Sequence, residues 1–443
     1  MDRFDRRYVG RADHADVPMV LARQRGWLLE DVDGNTYADH VSAWGSAPLR
    51  GSSRVADAMD ACERSLGMQN TAYTISEPVV ELAERIVEIS PEGLTRVAYS
   101  LSGTLAVEGS IKLAREATGR PMILGFLGQY HGESTYLTAG SSTDLAEVTT
   151  QHAQFAPGLV FIPYPNAYRA PFHRGAGPFD DTATLDYLED WVLVHQVEPG
   201  EIAGVLIEPV LGEGGIIAPS PAFWERLQAM CRRWGWKLIL DEVQTGLGRC
   251  GTMFAAERYG IRPDLMLLGK GFSGGGQPIG AILGTEEIMA RSTLALGGTF
   301  AWTPPSAAGA LANIDAILDT GALENVMLME RTALDVLGPL VRDVEHVGDV
   351  RASGAYIGVE FVQDKISIRP APAFHRAVHR AALRRGVLGL TQWGKWVYRL
   401  QPPLDMPIDL FHWSCEQVAE AVRETASDPP PEPALLIDRE RAS

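Results

Sequence analysis

Short apolar runs alternate with amphipathic stretches over the middle of the chain, from about residue 95 to about residue 300. The apolar, β-branched runs predict strands at Arg96–Ser100, Met122–Leu127, Ile202–Glu208, Lys237–Glu242, Leu265–Leu268 and Ile279–Leu283. The stretches with apolar residues at helical spacing predict helices at Leu105–Ala117, Thr184–Gln196, Pro221–Trp234 and Ser306–Leu318. Alternation of strand and helix in this order predicts an α/β domain built on a mostly parallel sheet.

The last part of the chain has a different pattern. A long amphipathic helix is predicted at Leu323–Val341, followed by a strand at Ala355–Phe361 and a helix at Ala373–Arg385. A second strand at Val397–Leu400 and a final helix from Asp409 complete the series. This order predicts a smaller α+β domain, which the N-terminal segment is expected to join.

Four segments follow from these patterns. Residues 1–55 are assigned to the small domain, 56–315 to the large domain and 316–426 to the C-terminal part of the small domain. The tail, 427–443, is rich in proline and polar residues, so it has little apolar surface to bury and is expected to be disordered.

The composition is that of a soluble globular protein, since 46% of the 443 residues are apolar and 21% are charged. The 56 acidic residues exceed the 39 Lys and Arg residues, so the formal net charge is −17. Such a chain repels phosphate backbones and anionic lipids, which argues against nucleic-acid or membrane-surface partners. No apolar stretch reaches the roughly 18 residues that span a bilayer, and the N-terminal residues lack an apolar signal core. We therefore expect a cytoplasmic protein.

The four cysteines are scattered, without the spacing of a zinc site or of a disulfide framework, so no metal is predicted. Two glycine motifs are rejected on their context. Gly246-Leu247-Gly248-Arg249-Cys250-Gly251 matches the dinucleotide pattern, but the next segment is short and ends at Gly260 instead of forming a long helix. Gly271-Phe272-Ser273-Gly274-Gly275 matches the hydrolase nucleophile pattern, but a β-like run follows it.

Three segments at the ends of predicted strands carry the chemistry. Asp241 ends an apolar strand at the edge where open α/β sheets bind ligands, so it can meet a cationic group or, alternatively, cap the following turn. Lys270 lies between two glycines after another strand, where burial would make its amine nucleophilic; taken alone, a loop lysine is the simpler interpretation. Ser102-Gly103-Thr104 opens a helix, either as a phosphate cradle or as an ordinary N-cap. Together they supply an amine, a carboxylate and an anion cradle, the groups that pyridoxal 5'-phosphate (PLP) requires.

These three segments belong to a longer series of motifs that covers most of the chain. In order, they are Ser102-Gly103-Thr104 with Glu108, Ile111-Lys112-Leu113-Ala114-Arg115, Tyr130-His131-Gly132, Glu208-Pro209-Val210-Leu211-Gly212-Glu213-Gly214-Gly215, Asp241-Glu242-Val243-Gln244-Thr245-Gly246-Leu247-Gly248-Arg249, Lys270, Gly298-Thr299-Phe300, and Arg399 before Pro402-Pro403-Leu404. On these motifs the chain resembles the class III aminotransferases, fold type I PLP enzymes related to ornithine and 4-aminobutyrate aminotransferases. The resemblance implies a large PLP-binding domain with a mostly parallel mixed sheet, and a smaller α+β domain made from both termini.

The resemblance also implies roles for individual residues. Lys270 is expected to form a Schiff base with PLP and, once displaced, to move the proton between Cα and C4′. Asp241 is expected to pair with the ring nitrogen, Val243 and Tyr130 to cover the two ring faces, and Gln244 to approach the phenolic oxygen.

The remaining cofactor contacts are implied in the same way. Gly103 and Thr104 are expected to bind the phosphate, with Ser102 and Glu208 also in the cofactor site. Thr299 is expected to reach the phosphate of a neighbouring subunit, which makes a homodimer the minimal active unit.

The reaction itself is left open between related activities. Trp44, within Ser42-Ala43-Trp44-Gly45, resembles a subgroup that includes amino-acid epimerases and caprolactam racemases, and it would line the substrate pocket or simply pack in the core. Glu213 and Arg399 match the pair that serves as a carboxylate switch in ornithine and 4-aminobutyrate aminotransferases. We therefore predict an aminotransferase that moves an amino group by ping-pong chemistry between an amine or amino-acid donor and a keto acid, 2-oxoglutarate. A racemase or 2-epimerase is the alternative, and a PLP lyase or decarboxylase is less favoured.

Overall fold

The computed structural model describes residues 19–143, 156–170, 172, 180–290, 292–293, 296–391 and 396–432. The strands are β1 (Leu21–Arg25), β2 (Leu28–Asp31), β3 (Thr36–Asp39), β4 (Arg96–Ser100), β5 (Met122–Leu127), β6 (Leu159–Pro163), β7 (Ile202–Ile207), β8 (Lys237–Asp241), β9 (Leu265–Leu268), β10 (Gly280–Gly284), β11 (Val347–Ala352), β12 (Ile357–Phe361), β13 (Val387–Leu388) and β14 (Val397–Leu400). The helices are α1 (Arg54–Ser65), α2 (Glu77–Glu88), α3 (Gly103–Thr118), α4 (Tyr136–Ser141), α5 (Ala183–Tyr187), α6 (Leu193–His195), α7 (Pro221–Trp234), α8 (Ala255–Tyr259), α9 (Glu286–Met289), α10 (Pro304–Asp319), α11 (Ala322–Leu337), α12 (Leu340–Asp343), α13 (Pro372–Arg384) and α14 (Ile408–Ser427).

A seven-stranded sheet lies at the centre of the fold, in the order β4-β10-β9-β8-β7-β5-β6. Strands β9, β8, β7, β5 and β6 pair in parallel, and β10 runs antiparallel to both of its neighbours, β4 and β9. Every residue of β7 and of β9 is buried, which is why these strands are continuous apolar runs in the sequence. The predicted α/β class with a mostly parallel mixed sheet is confirmed.

Two small sheets lie outside the central one. Strands β1, β2, β3 and β13 form one of them, in which the C-terminal β13 pairs in parallel with the N-terminal β3 through Val387 opposite Ala38. Strands β11, β12 and β14 form an antiparallel sheet. Strands from the N-terminal and C-terminal parts of the chain therefore share one sheet, as expected for a smaller α+β unit made from both parts. The domain boundaries stay a prediction.

Two predicted helices are interrupted. The stretch predicted as Thr184–Gln196 is divided by a π-helical turn at Leu188–Val192, between α5 and α6. The stretch predicted as Leu323–Val341 ends at Leu337, because the ring of Pro339 cannot continue an α-helix, and it resumes as the short α12.

The beginning of the predicted tail has a defined contact. Ser427 is the last residue of α14, and the Glu432 carboxylate accepts the backbone N–H groups of Ala373 and Phe374 at 2.9 and 2.7 Å. This carboxylate caps the first turn of α13, and the disorder of the tail stays a prediction. The rest of the predicted tail, 433–443, lies outside the described residues, as does the start of the chain, 1–18.

No helix in the described ranges combines the length and the apolar character needed to cross a membrane.

Candidate active site

A cavity of about 380 Å³ lies at the carboxyl ends of the parallel strands, beside the first turn of α3. Parallel sheets place ligands at this edge, because the strand ends and the helix N-termini converge there. Nine of the predicted site residues line the cavity: Ser102, Gly103, Thr104, Tyr130, Glu208, Asp241, Val243, Gln244 and Lys270. These residues come from positions as far apart as 102 and 270, and the fold brings them together.

The N-terminus of α3 forms one wall of the cavity. Ser102 caps this helix by accepting the N–H of Leu105 at 3.3 Å, and the first turn contains no acidic residue. Gly103 lies against Val243, and a Cβ on Gly103 would come within 2.7 Å of the Val243 Cγ1 atom. Glycine therefore permits this close packing at the positive end of a sixteen-residue helix, and such a helix end suits an anionic group such as a phosphate.

Lys270 follows β9 directly and points toward the same cavity. Its φ is +39°, in the left-handed region that only glycine adopts without strain. Gly269 permits the close approach to α3, because a Cβ there would lie 2.9 Å from the backbone nitrogen of Gly103. The Lys270 Nζ atom is 5.9 Å from the centre of the Tyr130 ring.

Burial lowers the pKa of the Lys270 ammonium, and the negative charges of Glu213, Glu208 and Asp241 partly oppose this shift. A lower pKa leaves more of the amine unprotonated near neutral pH. The amine is therefore suited to nucleophilic attack on a carbonyl group.

Asp241 ends β8 with its carboxylate at the cavity, where it is only 4% exposed. Its Oδ1 atom accepts the N–H of Val243 at 3.0 Å, and its Oδ2 atom lies 2.7 Å from Nδ1 of His131. A buried carboxylate that is held on both oxygens has a fixed direction, so it can recognise a cationic ring nitrogen. The sequence marks His131 only as a member of the motif around Tyr130, and no sequence signal identifies Asp241 as its partner.

Glu208 lines the same cavity as Asp241 and is also buried. Its Oε1 atom accepts the N–H of Tyr130, and its Oε2 atom accepts the N–H of Gly212, both at 2.9 Å. Burial, together with the neighbouring charge of Asp241, raises the pKa of Glu208 to about 8. Near it, Gln244 donates from Nε2 to the side-chain oxygen of Gln401 at 3.2 Å.

Glu213 and Arg399 form an ion pair next to Gly212. The Arg399 Nη2 atom lies 2.8 Å from Glu213 Oε2, and the two side chains are 5% (Glu213) and 0% (Arg399) exposed. Arg399 also donates from Nη1 to the carbonyl of Gly212 at 3.3 Å. The pair joins the loop after β7 to β14, and neither side chain lines the cavity itself in this structure.

Trp44 and Thr299 lie apart from these residues. Ser42, Ala43 and Trp44 all have φ between +47° and +56°, and the Trp44 side chain is 39% exposed. Thr299 lies in an exposed loop, where its carbonyl accepts the side-chain N–H of Asn70 at 3.0 Å. Neither residue lines the cavity.

The residues of the cavity fit PLP. They offer an amine on Lys270, a fixed carboxylate on Asp241 and an anion cradle at Gly103, and these three groups surround one space. Within the described ranges, no group of three or more His, Cys, Asp or Glu side chains is arranged to hold a metal ion.

Comparisons with known proteins agree with this arrangement. The sequence model of the family described as Aminotransferase class-III matches residues 9–422. The alanine/serine racemase of Pyrococcus horikoshii is 32% identical over 92% of this chain and 86% of its own length. The 4-aminobutyrate aminotransferase of Mycobacterium leprae is 36% identical over 91% of this chain and 90% of its own.

A solved structure has the same overall shape. The omega transaminase of Pseudomonas jessenii in complex with PMP superimposes with a TM-score of 0.85, at 27% identity over 93% of both chains. The expected fold type I architecture is thereby confirmed. Because the family model covers nearly the whole chain and the relatives match over most of their length, this protein belongs to the class III aminotransferase family.

Proposed function

We propose that this enzyme is a PLP-dependent aminotransferase that exchanges an amino group between an amine or amino-acid donor and 2-oxoglutarate. The buried ion pair between Glu213 and Arg399, 2.8 Å apart, carries the choice of 2-oxoglutarate. The similarity to the Mycobacterium leprae 4-aminobutyrate aminotransferase supports a donor whose amine is remote from its carboxylate. The Pseudomonas jessenii omega transaminase, whose structure is a complex with PMP, supports a cofactor of this kind.

When bound, PLP supplies an electron sink for the bond that is broken at the substrate Cα. Lys270 would attach the cofactor and, after release by the donor amine, move the proton between Cα and C4′. Asp241 would hold the ring nitrogen in its protonated form, because a buried anion favours the cationic form of its partner. The N–H groups of Gly103 and Thr104 would hold the phosphate at the start of α3. Val243 and Tyr130 would confine the ring from its two sides.

Arg399 and Glu213 would select among substrates by charge. Arg399 can bind a carboxylate with two parallel N–H donors, which suits 2-oxoglutarate and glutamate. A donor that lacks a carboxylate at this place would leave a buried cation without a counter-charge, at a cost of several kcal/mol. Glu213 removes that cost, because it is the resting partner of Arg399 whenever no substrate carboxylate is bound. The same site can then accept two kinds of substrate in turn.

Separate half-reactions test this proposal. The Arg399→Ala enzyme should react with 2-oxoglutarate roughly 10- to 100-fold less efficiently, since a charged hydrogen-bonded contact is worth about 1.5–3 kcal/mol. Its reaction with a donor that lacks an α-carboxylate should change far less. Glu213→Gln keeps the shape but removes the charge, so it should impair that donor and spare 2-oxoglutarate. Equal losses for both substrates in both variants would contradict the switch.

Racemisation is the second candidate, because the Pyrococcus horikoshii relative is named alanine/serine racemase. It needs the same cofactor contacts but no keto acid, since Cα is reprotonated on the opposite face. Chiral analysis of an amino acid incubated with the enzyme alone separates the two reactions. Rapid racemisation without a keto acid, with no glutamate formed from 2-oxoglutarate, would replace the aminotransferase proposal.

We also propose that the active unit is a homodimer. Tyr73, Ile75 and Phe300 are 92%, 70% and 60% exposed, and a hydrogen bond between Asn70 and Thr299 joins the loops that carry them. Large apolar side chains exposed together indicate an interface, and a second copy would place Thr299 at the neighbouring phosphate site. This surface supports the homodimer that the resemblance implies.

Sedimentation of two charge variants tests the dimer. Phe300→Asp should weaken association and retention of the cofactor, because it introduces a charge into the proposed interface. Trp191→Asp is the matched control, since Trp191 is also 60% exposed but lies in the π-helical turn. A wild-type enzyme that is fully active as a monomer at high dilution would rule the dimer out.

A further inference from the structure

Gln129 lies behind the pair formed by His131 and Asp241. Its Nε2 atom is 2.8 Å from Nε2 of His131, whose Nδ1 atom is 2.7 Å from Oδ2 of Asp241. Gln129, His131 and Asp241 are 0%, 3% and 4% exposed. The three side chains therefore form one buried chain of contacts, which ends on the carboxylate at the cavity.

The chemistry of the amide gives these contacts a direction. The amide nitrogen of Gln129 only donates, so it occupies the lone pair of His131 Nε2 and leaves the ring proton on Nδ1 for Asp241. In this orientation the Gln129 amide nitrogen has a partner, and its Oε1 atom is buried without a hydrogen-bond partner among the described residues. The flipped amide would instead bury two N–H donors without partners, and orphaned N–H groups are rarer than orphaned carbonyl groups. The contacts favour a neutral imidazole.

We propose that Gln129 is a positioning residue that holds His131 as the neutral Nδ1–H imidazole, so that Asp241 keeps its full negative charge toward the cavity. A positively charged His131 would form an ion pair with Asp241. The attraction of Asp241 for a second cation in the cavity would then be weaker. Outer hydrogen bonds of this kind fix the tautomer and orientation of a histidine. The consequence for turnover rests on the proposed PLP chemistry, whereas the tautomer of His131 does not.

Nitrogen NMR of the protein without cofactor tests the tautomer. In protein labelled with ¹⁵N-histidine, and with His131→Asn used for assignment, His131 should show a protonated Nδ1 and an unprotonated Nε2 at neutral pH. Gln129→Glu is nearly isosteric but replaces the donor with a carboxylate, so both ring nitrogens should become protonated. Gln196→Glu makes the same charge change at an exposed glutamine and should leave His131 unaltered.

Two results would overturn the proposal. One is a wild-type His131 that is protonated at Nε2, and the other is an Nε2 that stays unprotonated in Gln129→Glu. If the Glu variant does not fold, Gln129→Met provides an uncharged replacement of similar length. The Nε2 resonance should then move, because its hydrogen bond is lost, and an unchanged resonance would also contradict the proposal.

Kinetics of the holoenzyme test the consequence for turnover. Gln129→Glu should lower kcat roughly 10- to 100-fold, by analogy with the hydrogen-bond partners of metal-ligating histidines, with KM for both substrates within about twofold. Unaltered kcat in a variant whose His131 is doubly protonated would refute the effect on Asp241. A wild-type enzyme without aminotransferase turnover would refute the proposed function instead, and the NMR result would still decide the role of Gln129.

Discussion

The free energy of unfolding should fall in mildly acidic solution because the buried His40 resists protonation. Its side chain is 0% exposed beside Phe411, with the ring centroids 5.8 Å apart. Neither ring nitrogen has a hydrogen-bond partner in the described part of the chain. Burial without a partner disfavours the charged imidazolium, and it lowers the pKa of His40 from 6.5 to about 3.

The sign and size of the effect follow from linkage. The unfolded chain takes up a proton at His40 as the pH falls below 6.5, whereas the folded protein does not until about pH 3. The stability that the neutral His40 contributes is therefore complete above pH 6.5, and it is lost progressively as the pH falls from 6.5 to about 3. Each pH unit is worth about 1.4 kcal/mol, so the loss at about pH 5 is roughly 2 kcal/mol.

Denaturant unfolding at a fixed protein concentration measures this loss. His40→Leu removes the titration and keeps an apolar side chain of similar size against Phe411. Between about pH 7.5 and about pH 5, the wild type should lose roughly 2 kcal/mol more of its unfolding free energy than the Leu variant. His195→Leu, at an exposed histidine, is the matched control and should follow the wild type. Identical pH dependence in the wild type and in His40→Leu would refute the reasoning.

Three further substitutions test the site. Lys270→Ala should abolish turnover, and the cofactor absorbance should be lost with it while circular dichroism stays native; substantial turnover would contradict its role. Asp241→Asn keeps the shape but removes the anion, so kcat should fall roughly a thousandfold, as other electrostatic contacts of active sites do, and near-normal kcat would argue against the pairing with a ring nitrogen. Gly212→Ala should destabilise the fold by about 1–3 kcal/mol, because the new Cβ would overlap the Tyr356 hydroxyl. Gly200→Ala, whose Cβ meets nothing within 4 Å, is the control for Gly212→Ala. Equal unfolding free energies of the two variants would contradict the prediction, because they would show that the loop of Gly212 moves to accommodate the new Cβ.

The central sheet could be predicted from the sequence because burial leaves a local pattern. Strands β7 and β9 are apolar throughout, so their bounds agree with the prediction to within one residue. Strand β1 was not predicted, since all of its residues are exposed and no alternation marks it. Strand β6, at the edge of the sheet, was also missed. Burial of both faces is sufficient for a strand to be predicted but is not required, because the edge strand β4 has only Ser100 buried and was predicted with its bounds.

The site was predictable in part for a similar reason. Lys270 and Asp241 follow apolar strands, so the sequence itself indicates that both meet at one edge of the sheet. Glu213 and Arg399 were paired only through the resemblance, because nothing local relates two positions so far apart. The contact between Gln129 and His131 has no sequence signal, since a glutamine two residues before a histidine is ordinary in any loop.

The complete burial of the Arg399 side chain affects how the proposed switch would distinguish substrates. Folding has already removed this side chain from water, and Glu213 balances its charge at 2.8 Å. A substrate carboxylate that displaces Glu213 would exchange one carboxylate partner of the arginine for another, with little further desolvation of the arginine itself. A donor without that carboxylate leaves the pair intact and must bind through other contacts. In the proposed switch, discrimination at this place would depend on the charge of the substrate more than on its size.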